Sequence, residues 1–484
     1  MVTEISAAPV MSTEQQAVHD ESVNYITGKD TRHAMKVLIG YAGTGKTFTT
    51  GMIIATLKKL MEDNLFGPSY RIAMSAPTHK AVRVLKKFAP FPDVEFATIH
   101  SLLGLREVVD ERTGKISYEP SKDEEDRPRI TEYNVLFIDE TSMLSAELFK
   151  LILPYVKKGQ IKLIFLGDPA QIPPIGKTDT IPFQEEGRAT YNIGLMTLSE
   201  VRRQAHDNPI LEYATRIRQV YKTAPSIPVA TSIFEGHGIE CMRADQEKEI
   251  RTIIQQYFGS PQFAEDPDYM KIIAYRNTVV NAFNKIAREE IYKGQELQFI
   301  KEGEKLIMDK SLVLSTKRVL LSTNQEIDVD HFTIDTSDYD YLGAEEIEGT
   351  IIAELKSDAF KYYNTFVNYF DVDGKQKVAN IRIAHEDEIV RIDGMVNHLK
   401  KMAMKVPMGN PLRGKLWREF YKVQRMFAQV KYNYAITAHK SQGSTYDNCM
   451  MIEWDINNSS KVEERNRIKY VAATRARNRL FIVN

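Results

Sequence analysis

Short runs of mostly apolar residues, Lys36–Gly40, Tyr70–Ala76, Asn134–Asp139 and Lys162–Gly167, alternate with stretches of helical periodicity in the first part of the chain. Runs without polar alternation suit strands buried on both faces, so this rhythm predicts a parallel sheet covered by helices. A second series follows, with a strand at Lys271–Tyr275, a helix at Val279–Glu290, a strand at Cys449–Glu453, a helix at Lys461–Arg475 and a strand at Leu480–Val483. It predicts a second α/β unit, closed by the last strand. The stretch from Lys301 to Lys431 differs, being rich in Tyr and Phe, with period-two alternation around Val378–Ala384 and few strand–helix signals. It reads as an insertion in the second unit. No internal repeat or low-complexity tract interrupts the pattern.

The 484 residues suffice for two or three domains. Hydrophobic residues make up 43% and charged residues 27%, an ordinary globular balance, and no apolar run approaches the roughly 18 residues that span a bilayer. Met1–Gln16 lacks the basic start and apolar run of a secretory signal. No membrane association and a cytoplasmic location are therefore expected, the host cytoplasm if a phage encodes the chain. Cys241 and Cys449 stand far apart without Cys or His at ligand spacing, which supports neither a disulfide framework nor a zinc site. The formal net charge of −1 argues against a nucleic-acid binder, but it hides segregation: Lys400–Arg425 holds eight basic residues against the single acid Glu419. That stretch either follows a phosphate backbone or is a solvated helix face.

The most specific chemistry lies in Gly40-Tyr-Ala-Gly43-Thr44-Gly45-Lys46-Thr47, between a predicted strand and a predicted helix. In such a phosphate-binding loop the glycines turn successive N–H groups inward and the helix start adds partial positive charge. Lys46 reaches the β and γ oxygens of ATP, and Thr47 ligates Mg²⁺. Asp139-Glu140 ends the apolar strand Val135–Ile138, at the sheet edge where ligands bind. Such a pair is ordinarily an exposed strand end. With the phosphate loop upstream, Asp139 is expected to hold Mg²⁺ through water and Glu140 to polarise the attacking water as general base. The pair implies hydrolysis rather than binding alone.

Gly167-Asp168-Pro169-Ala170-Gln171-Ile172-Pro173-Pro174 resembles the third motif of superfamily 1 helicases, and further segments are similar to that family's motifs in the expected order. They are Met11–Gln15, Ala76–Ala81, Thr98–Ser101, Leu198–Gln204, Ala435–Ser444 and Tyr470–Arg477, and their wording resembles the Dda/RecD-like branch. The resemblance implies two RecA-like parallel-sheet domains of the P-loop NTPase class, with a small hairpin insertion in the first and a β-rich, SH3-like insertion in the second. The expected divisions are 1–195 for the first domain with its insertion at 105–126, 196–300 and 431–484 for the second, and 301–430 for its insertion.

The resemblance also implies roles. Gln171 would sense the γ-phosphate, Arg203 and Arg475 would reach it from the second domain, Gln15 would pair with adenine, and Gly443 would border the nucleotide. Pro77, Thr78, His79, His100, Thr437, His439 and Lys440 would line the strand channel. Arg202 stands where many relatives place an aromatic that stacks on adenine, which admits other nucleotides. The implied function is an ATP-dependent DNA helicase, using ATP and Mg²⁺, that moves 5′ to 3′ on single-stranded DNA, unwinds duplex at single-strand/double-strand junctions and acts as a monomer. Replication or recombination proteins, such as a single-strand-binding protein, are the expected partners.

Leu105–Glu119 predicts two short strands around the turn Arg112–Lys115, equally readable as a strand-splitting pin or a plain hairpin. The rings of Phe360, Tyr362, Tyr363, Phe366, Tyr369 and Phe370 are expected to be buried in a barrel-like insertion rather than to stack on bases. Two other readings remain. A nucleic-acid-stimulated ATPase switch is compatible with the motifs, whereas a small-molecule kinase leaves Gln171 and Arg475 unexplained.

Overall fold

The computed structural model describes residues 10–63, 71–88, 91–110, 116–121, 127–157, 159, 161–174, 179–200, 208–313, 319–371 and 374–484. Six strands form an all-parallel sheet in the order Val94–Thr98, Ile72–Ala76, Val135–Ile138, Lys162–Gly167, Met35–Gly40 and Ile193–Leu198. The apolar residues of the four inner strands are buried on both faces, as the uninterrupted runs require, whereas the edge strand Ile193–Leu198 leaves Leu195 exposed. A second six-stranded sheet runs Ala435–Thr437, Met270–Ala274, Tyr446–Ile452, Ala476–Val483, His237–Met242 and Ser232–Phe234, with only the last strand antiparallel. The mixed α/β architecture of two parallel sheets is as expected. The edge strands Val94–Thr98 and Ile193–Leu198 did not emerge from the pattern of apolar runs.

The stretch expected as a barrel-like insertion is hydrogen-bonded as a linear antiparallel sheet, in the order Gln376–Ala384, Thr350–Phe370, Glu326–Ile347, Lys305–Met308 and Val430–Tyr432. Its two longest strands have 22 and 21 residues and pair out to Ile347 opposite Thr350, far beyond the rest of the sheet. Helices Glu386–Lys405 and Pro411–Gln424 pack against this ribbon through Leu399, Met402, Leu416, Trp417 and Phe420, around Ala344. The basic stretch is therefore a helix pair that buries its apolar stripe on the ribbon and pairs outward charge locally, Lys405 with Glu346 and Lys422 with Glu419. Of the aromatic rings, Phe360, Tyr362 and Tyr363 are buried, Phe366 and Tyr369 half-buried, and Phe370 exposed.

The three sheets meet around one ionic cluster. Lys80, on a helix after the first sheet's Ile72–Ala76 strand, places Nζ 2.9 Å from both Asp268 and Glu326 and 4.8 Å from the centre of the Tyr446 ring. Glu326 opens the long ribbon, Asp268 and Tyr446 belong to the second sheet's surroundings, and Asn433 donates to Glu326 at 3.1 Å. Lys271 is fully buried beside them and donates to the Asn433 carbonyl at 2.5 Å. Burial alone would raise Glu326, but the ammonium groups of Lys80 and Lys271 hold it at about 2. Burial lowers Lys271 to about 8 despite Glu326.

Glu326→Gln leaves these lysines short of countercharge, and breaking a buried pair in this way costs about 3–5 kcal/mol. The denaturation midpoint at pH 7 is expected to fall accordingly. Because a depressed carboxyl contributes fully above its unfolded value and loses that contribution progressively towards its folded one, the gap to wild type should narrow as pH drops from about 4.5 towards about 2. Equal midpoints at pH 7 would show that the cluster does not hold the junction.

Candidate functional site

The segment Gly40–Thr47 leaves the strand Met35–Gly40 and enters the helix Lys46–Glu62. Gly43 and Gly45 have φ of 84° and 83°, the left-handed region that favours glycine and that turns backbone N–H groups to one side. Lys46 Nζ donates to the carbonyls of Gly40 at 2.5 Å and Tyr41 at 3.1 Å, so its charge sits inside the loop. Gln15 lies under the same loop. Its Nε2 donates to the Thr44 carbonyl at 3.1 Å, and its Oε1 accepts the Ser12 N–H at 3.0 Å in a reciprocal cap on the helix Thr13–Ile26. A Cβ on Gly45 would collide with that amide. Gln15 is thus buried as a prop for the loop, a role the sequence motif did not announce.

Asp139 and Glu140 follow the strand Val135–Ile138, opposite the loop. Glu140 has a φ of 50°, a conformation that costs a non-glycine residue of order 1–3 kcal/mol and that recurs at functional sites. The turn is held by the Glu140 N–H, donated to Asp139 Oδ1 at 2.7 Å. Burial raises both carboxyl groups; Asp139 pushes Glu140 further up, while Arg475 and Lys46 oppose it. Asp168, fully buried at the end of Lys162–Gly167, accepts the Ala170 N–H at 2.9 Å. Gln171 stands nearby with its carbonyl bonded to Arg467 at 2.9 Å, while its buried side-chain Oε1 has no partner among the described residues. An acceptor left over at this point suits a donor brought by ligand or water.

The second sheet supplies the facing wall. Gly443 has a φ of 70°, and a Cβ there would stand 3.0 Å from the Cβ of Ala81 and 3.8 Å from the Cγ of Glu140. Arg475, buried at the end of the helix Val462–Arg475, donates to the Ser444 carbonyl at 2.8 Å and the Val471 carbonyl at 3.1 Å. Lys46, Asp139 and Glu140 from the first sheet therefore lie together with Gly443 and Arg475 from the second. Thr47 sits half-buried in the helix's first turn. Arg203 and Arg202 fall within 201–207, outside the described residues, as does the turn 111–115.

A separate cleft runs between the sheets and the root of the insertion, lined among others by Thr78, His79, Arg83, Phe370, His439 and Lys440. Thr78, Thr98 and Thr437 each use Oγ1 to accept an N–H three residues on, at 3.2, 3.2 and 3.3 Å. Thr98 and Thr437 end the edge strands of their respective sheets, so the two edges are finished in the same way. Pro77, half-buried, precedes the first of these turns. His79, His100 and His439 all have their pKa lowered by burial, which favours neutral rings. Lys440 pairs with Asp309 at 3.0 Å. His100 meets Tyr118 edge-on at 5.6 Å, and Tyr118 belongs to the antiparallel pair Leu105–Val109 and Ile116–Pro120.

Three side chains at the nucleotide cleft escaped the sequence reading. Tyr470 donates to Asp168 Oδ2 at 2.6 Å, Arg467 holds the Gln171 carbonyl, and Arg218 lies 4.0 Å from the centre of the Tyr41 ring. Tyr470 lay within a recognised motif, but nothing local assigned it a partner.

Two parallel sheets with a phosphate loop on one and a buried arginine on the other define a P-loop NTPase of RecA-like build. Residues 24–177 match a family described as an AAA domain, and residues 432–483 match the UvrD-like helicase C-terminal domain. The ATP-dependent DNA helicase dda of Enterobacteria phage T4 is 24% identical over 94% of this chain and 95% of its own length. An uncharacterized protein of Acanthamoeba polyphaga mimivirus is 25% identical over 97% and 99%. The RecBCD subunit RecD of Mycobacterium tuberculosis is 33% identical over 28% of this chain and 24% of its own. The Pif1 helicase of Candida albicans has the same fold, with a TM-score of 0.50 at 16% identity over 99% of this chain and 95% of that one. These matches support a superfamily 1 helicase similar to Dda and RecD, and the Pif1 likeness shows the shared fold.

Glu140→Gln is expected to retain nucleotide binding and to lose at least about a hundredfold in single-turnover ATP hydrolysis, the lower range for a general base. In the wild type the acid limb of that reaction should fall above the ordinary carboxylate range, since burial and Asp139 favour the protonated form. A rate constant that stays flat from about pH 7 to about pH 5 would remove Glu140 from that role.

Proposed function

We propose that this helicase hydrolyses ATP to move 5′ to 3′ along single-stranded DNA and to unwind the duplex ahead of it. The observation that carries the reading is the approach of two separate sheets at one place, where Lys46, Asp139 and Glu140 of the first lie together with Gly443 and Arg475 of the second. The phage relative, named a DNA helicase, aligns over nearly the whole chain and supports DNA as the track.

In this reading Lys46 leaves the loop carbonyls for the β and γ oxygens of ATP, and the N–H groups of Gly43 to Thr47 surround them. Thr47 and Asp139 would hold Mg²⁺, which would supply positive charge to offset that of the phosphates. Glu140 takes the proton of the attacking water, and Gln171 turns its unpartnered oxygen to that water. Arg475 and Arg203 stabilise charge on the transferred phosphoryl group, a contribution of about 10³ to 10⁵ in rate for an arginine finger. Hydrolysis removes the group that both walls contact, so the walls separate. The second cleft, lined by Thr78 and His79 from one sheet and His439 and Lys440 from the other, grips the strand together with Pro77, His100 and Thr437; alternating grip converts opening and closing into steps. Gln15 sets the loop's height beside the base, and the hairpin at 105–120 meets the fork. The protein works in the cytoplasm as a monomer, beside replication or recombination proteins such as a single-strand-binding protein.

Lys46→Ala is expected to abolish ATP hydrolysis both with and without single-stranded DNA, whereas the wild type is stimulated by the strand. Stimulated turnover surviving in the variant would overturn the assignment of the loop. On duplexes carrying one single-stranded tail, unwinding is expected with a 5′ tail and not with a 3′ tail. Preference for the 3′ tail reverses the direction, and stimulation of ATPase without unwinding of either substrate would identify a switch rather than an unwinding motor.

A further inference from the structure

The helix Val462–Arg475 sends two side chains, Arg467 and Tyr470, to partners in the other lobe, while Arg475 bonds within its own. Arg467 bonds the Gln171 carbonyl at 2.9 Å and pairs with Asp179 at 3.0 Å, and the charge of Arg475 acts on Glu140. Tyr470 lies between them. Its buried hydroxyl stands 2.6 Å from Asp168 Oδ2 and 3.2 Å from the backbone nitrogen of Ala42. Ala42 belongs to the phosphate loop, and Asp168 opens the turn that carries Gln171. One hydroxyl from the second lobe thus touches both nucleotide loops of the first.

The polarity of the bridge is fixed by its ends. A backbone N–H only donates and a carboxylate only accepts, so the Tyr470 hydroxyl receives from Ala42 and gives to Asp168. Among the described residues Asp168 has one other donor, the Ala170 N–H at 2.9 Å, and it is fully buried, which makes the tyrosine its link to the second lobe. Tyr41, the neighbour of Ala42, is held from the same lobe, with Arg218 4.0 Å from its ring centre. A buried tyrosine hydroxyl ordinarily needs a partner, and packing alone would explain one. Packing does not explain why both partners lie in the opposite lobe, and both in loops that border the nucleotide.

We propose that Tyr470 is a positioning residue for ATP hydrolysis, whose hydroxyl aligns the Ala42 end of the phosphate loop and the Asp168–Gln171 turn with Arg475 when the lobes close. The inference rests on the motor reading above and adds a residue through which closure reaches the reacting groups. ATP binding to an open cleft does not need the bridge; hydrolysis in a closed cleft does.

The test measures ATPase of the full chain with saturating single-stranded DNA. Tyr470→Phe keeps the ring and removes the hydroxyl. It is expected to lower kcat about ten- to a hundredfold, the range of one hydrogen bond to a charged group, with KM for ATP within about twofold. Asp168→Asn leaves one oxygen for two donors and is expected to lower kcat similarly, with the double variant no worse than the poorer single one. Should Tyr470→Phe prove unstable to heat, Asp168→Asn carries the test by the same split between kcat and KM. Wild-type kcat in the variant that folds, a change confined to KM, or multiplicative losses in the double variant would each overturn the proposal. If the wild type itself shows no stimulation by the strand, the motor reading fails too; if it is stimulated and Tyr470→Phe equals it, only the role of Tyr470 fails.

Discussion

A charge buried between two bodies must find its partner on one of them, and in this protein the partners repeatedly come from the other side. Lys80 of the first lobe is neutralised by Asp268 and Glu326, and Asp168 of the first lobe is met by Tyr470 of the second. Apolar packing follows the same plan, because Ala170 and Ile172 complete a core built mainly from the second sheet, with Tyr41 and Ala42 packed against it. Burying residues of this kind contributes roughly 1.5–3 kcal/mol per large side chain. The first lobe's nucleotide loops are therefore held in part by contacts from the second lobe.

That dependence separates what the chain announces locally from what it does not. The phosphate loop, the Asp139-Glu140 strand end and the third motif are legible because their chemistry is set by residues adjacent in sequence, following strands whose apolar runs are unmistakable. The helix Val462–Arg475 and the strand Gln376–Ala384 were equally clear from periodicity. The bridge from Tyr470 to Asp168 joins residues 302 positions apart, and the pair Lys80 and Glu326 spans 246; no spacing rule reaches that far. Gln15 illustrates a middle case. Its capping box is local and its place under Thr44 is not, so sequence locates the residue without disclosing that its amide is already engaged.

Charge was the least informative guide. A net of −1 conceals a junction in which the acids serve the lysines, and the basic stretch Lys400–Arg425 turns out to clothe the outer side of a helix pair. The long strands behind that pair were obscured for a related reason. A two-stranded ribbon covered mainly along one side reads as polar and aromatic residues in loose alternation, without the apolar runs that mark a fully enclosed sheet.

The ribbon also has a mechanical aspect. About 20 residue pairs at about 3.3 Å per residue extend roughly 65 Å, and the stiffening helices lie along it. Its root is Glu326, the same carboxylate that holds Lys80. Any object that leans on the distal turn between Ile347 and Thr350 therefore pulls with a long moment arm on the ionic knot where the three sheets are tied, so a modest sideways force far from the nucleotide is delivered, magnified, to its doorstep.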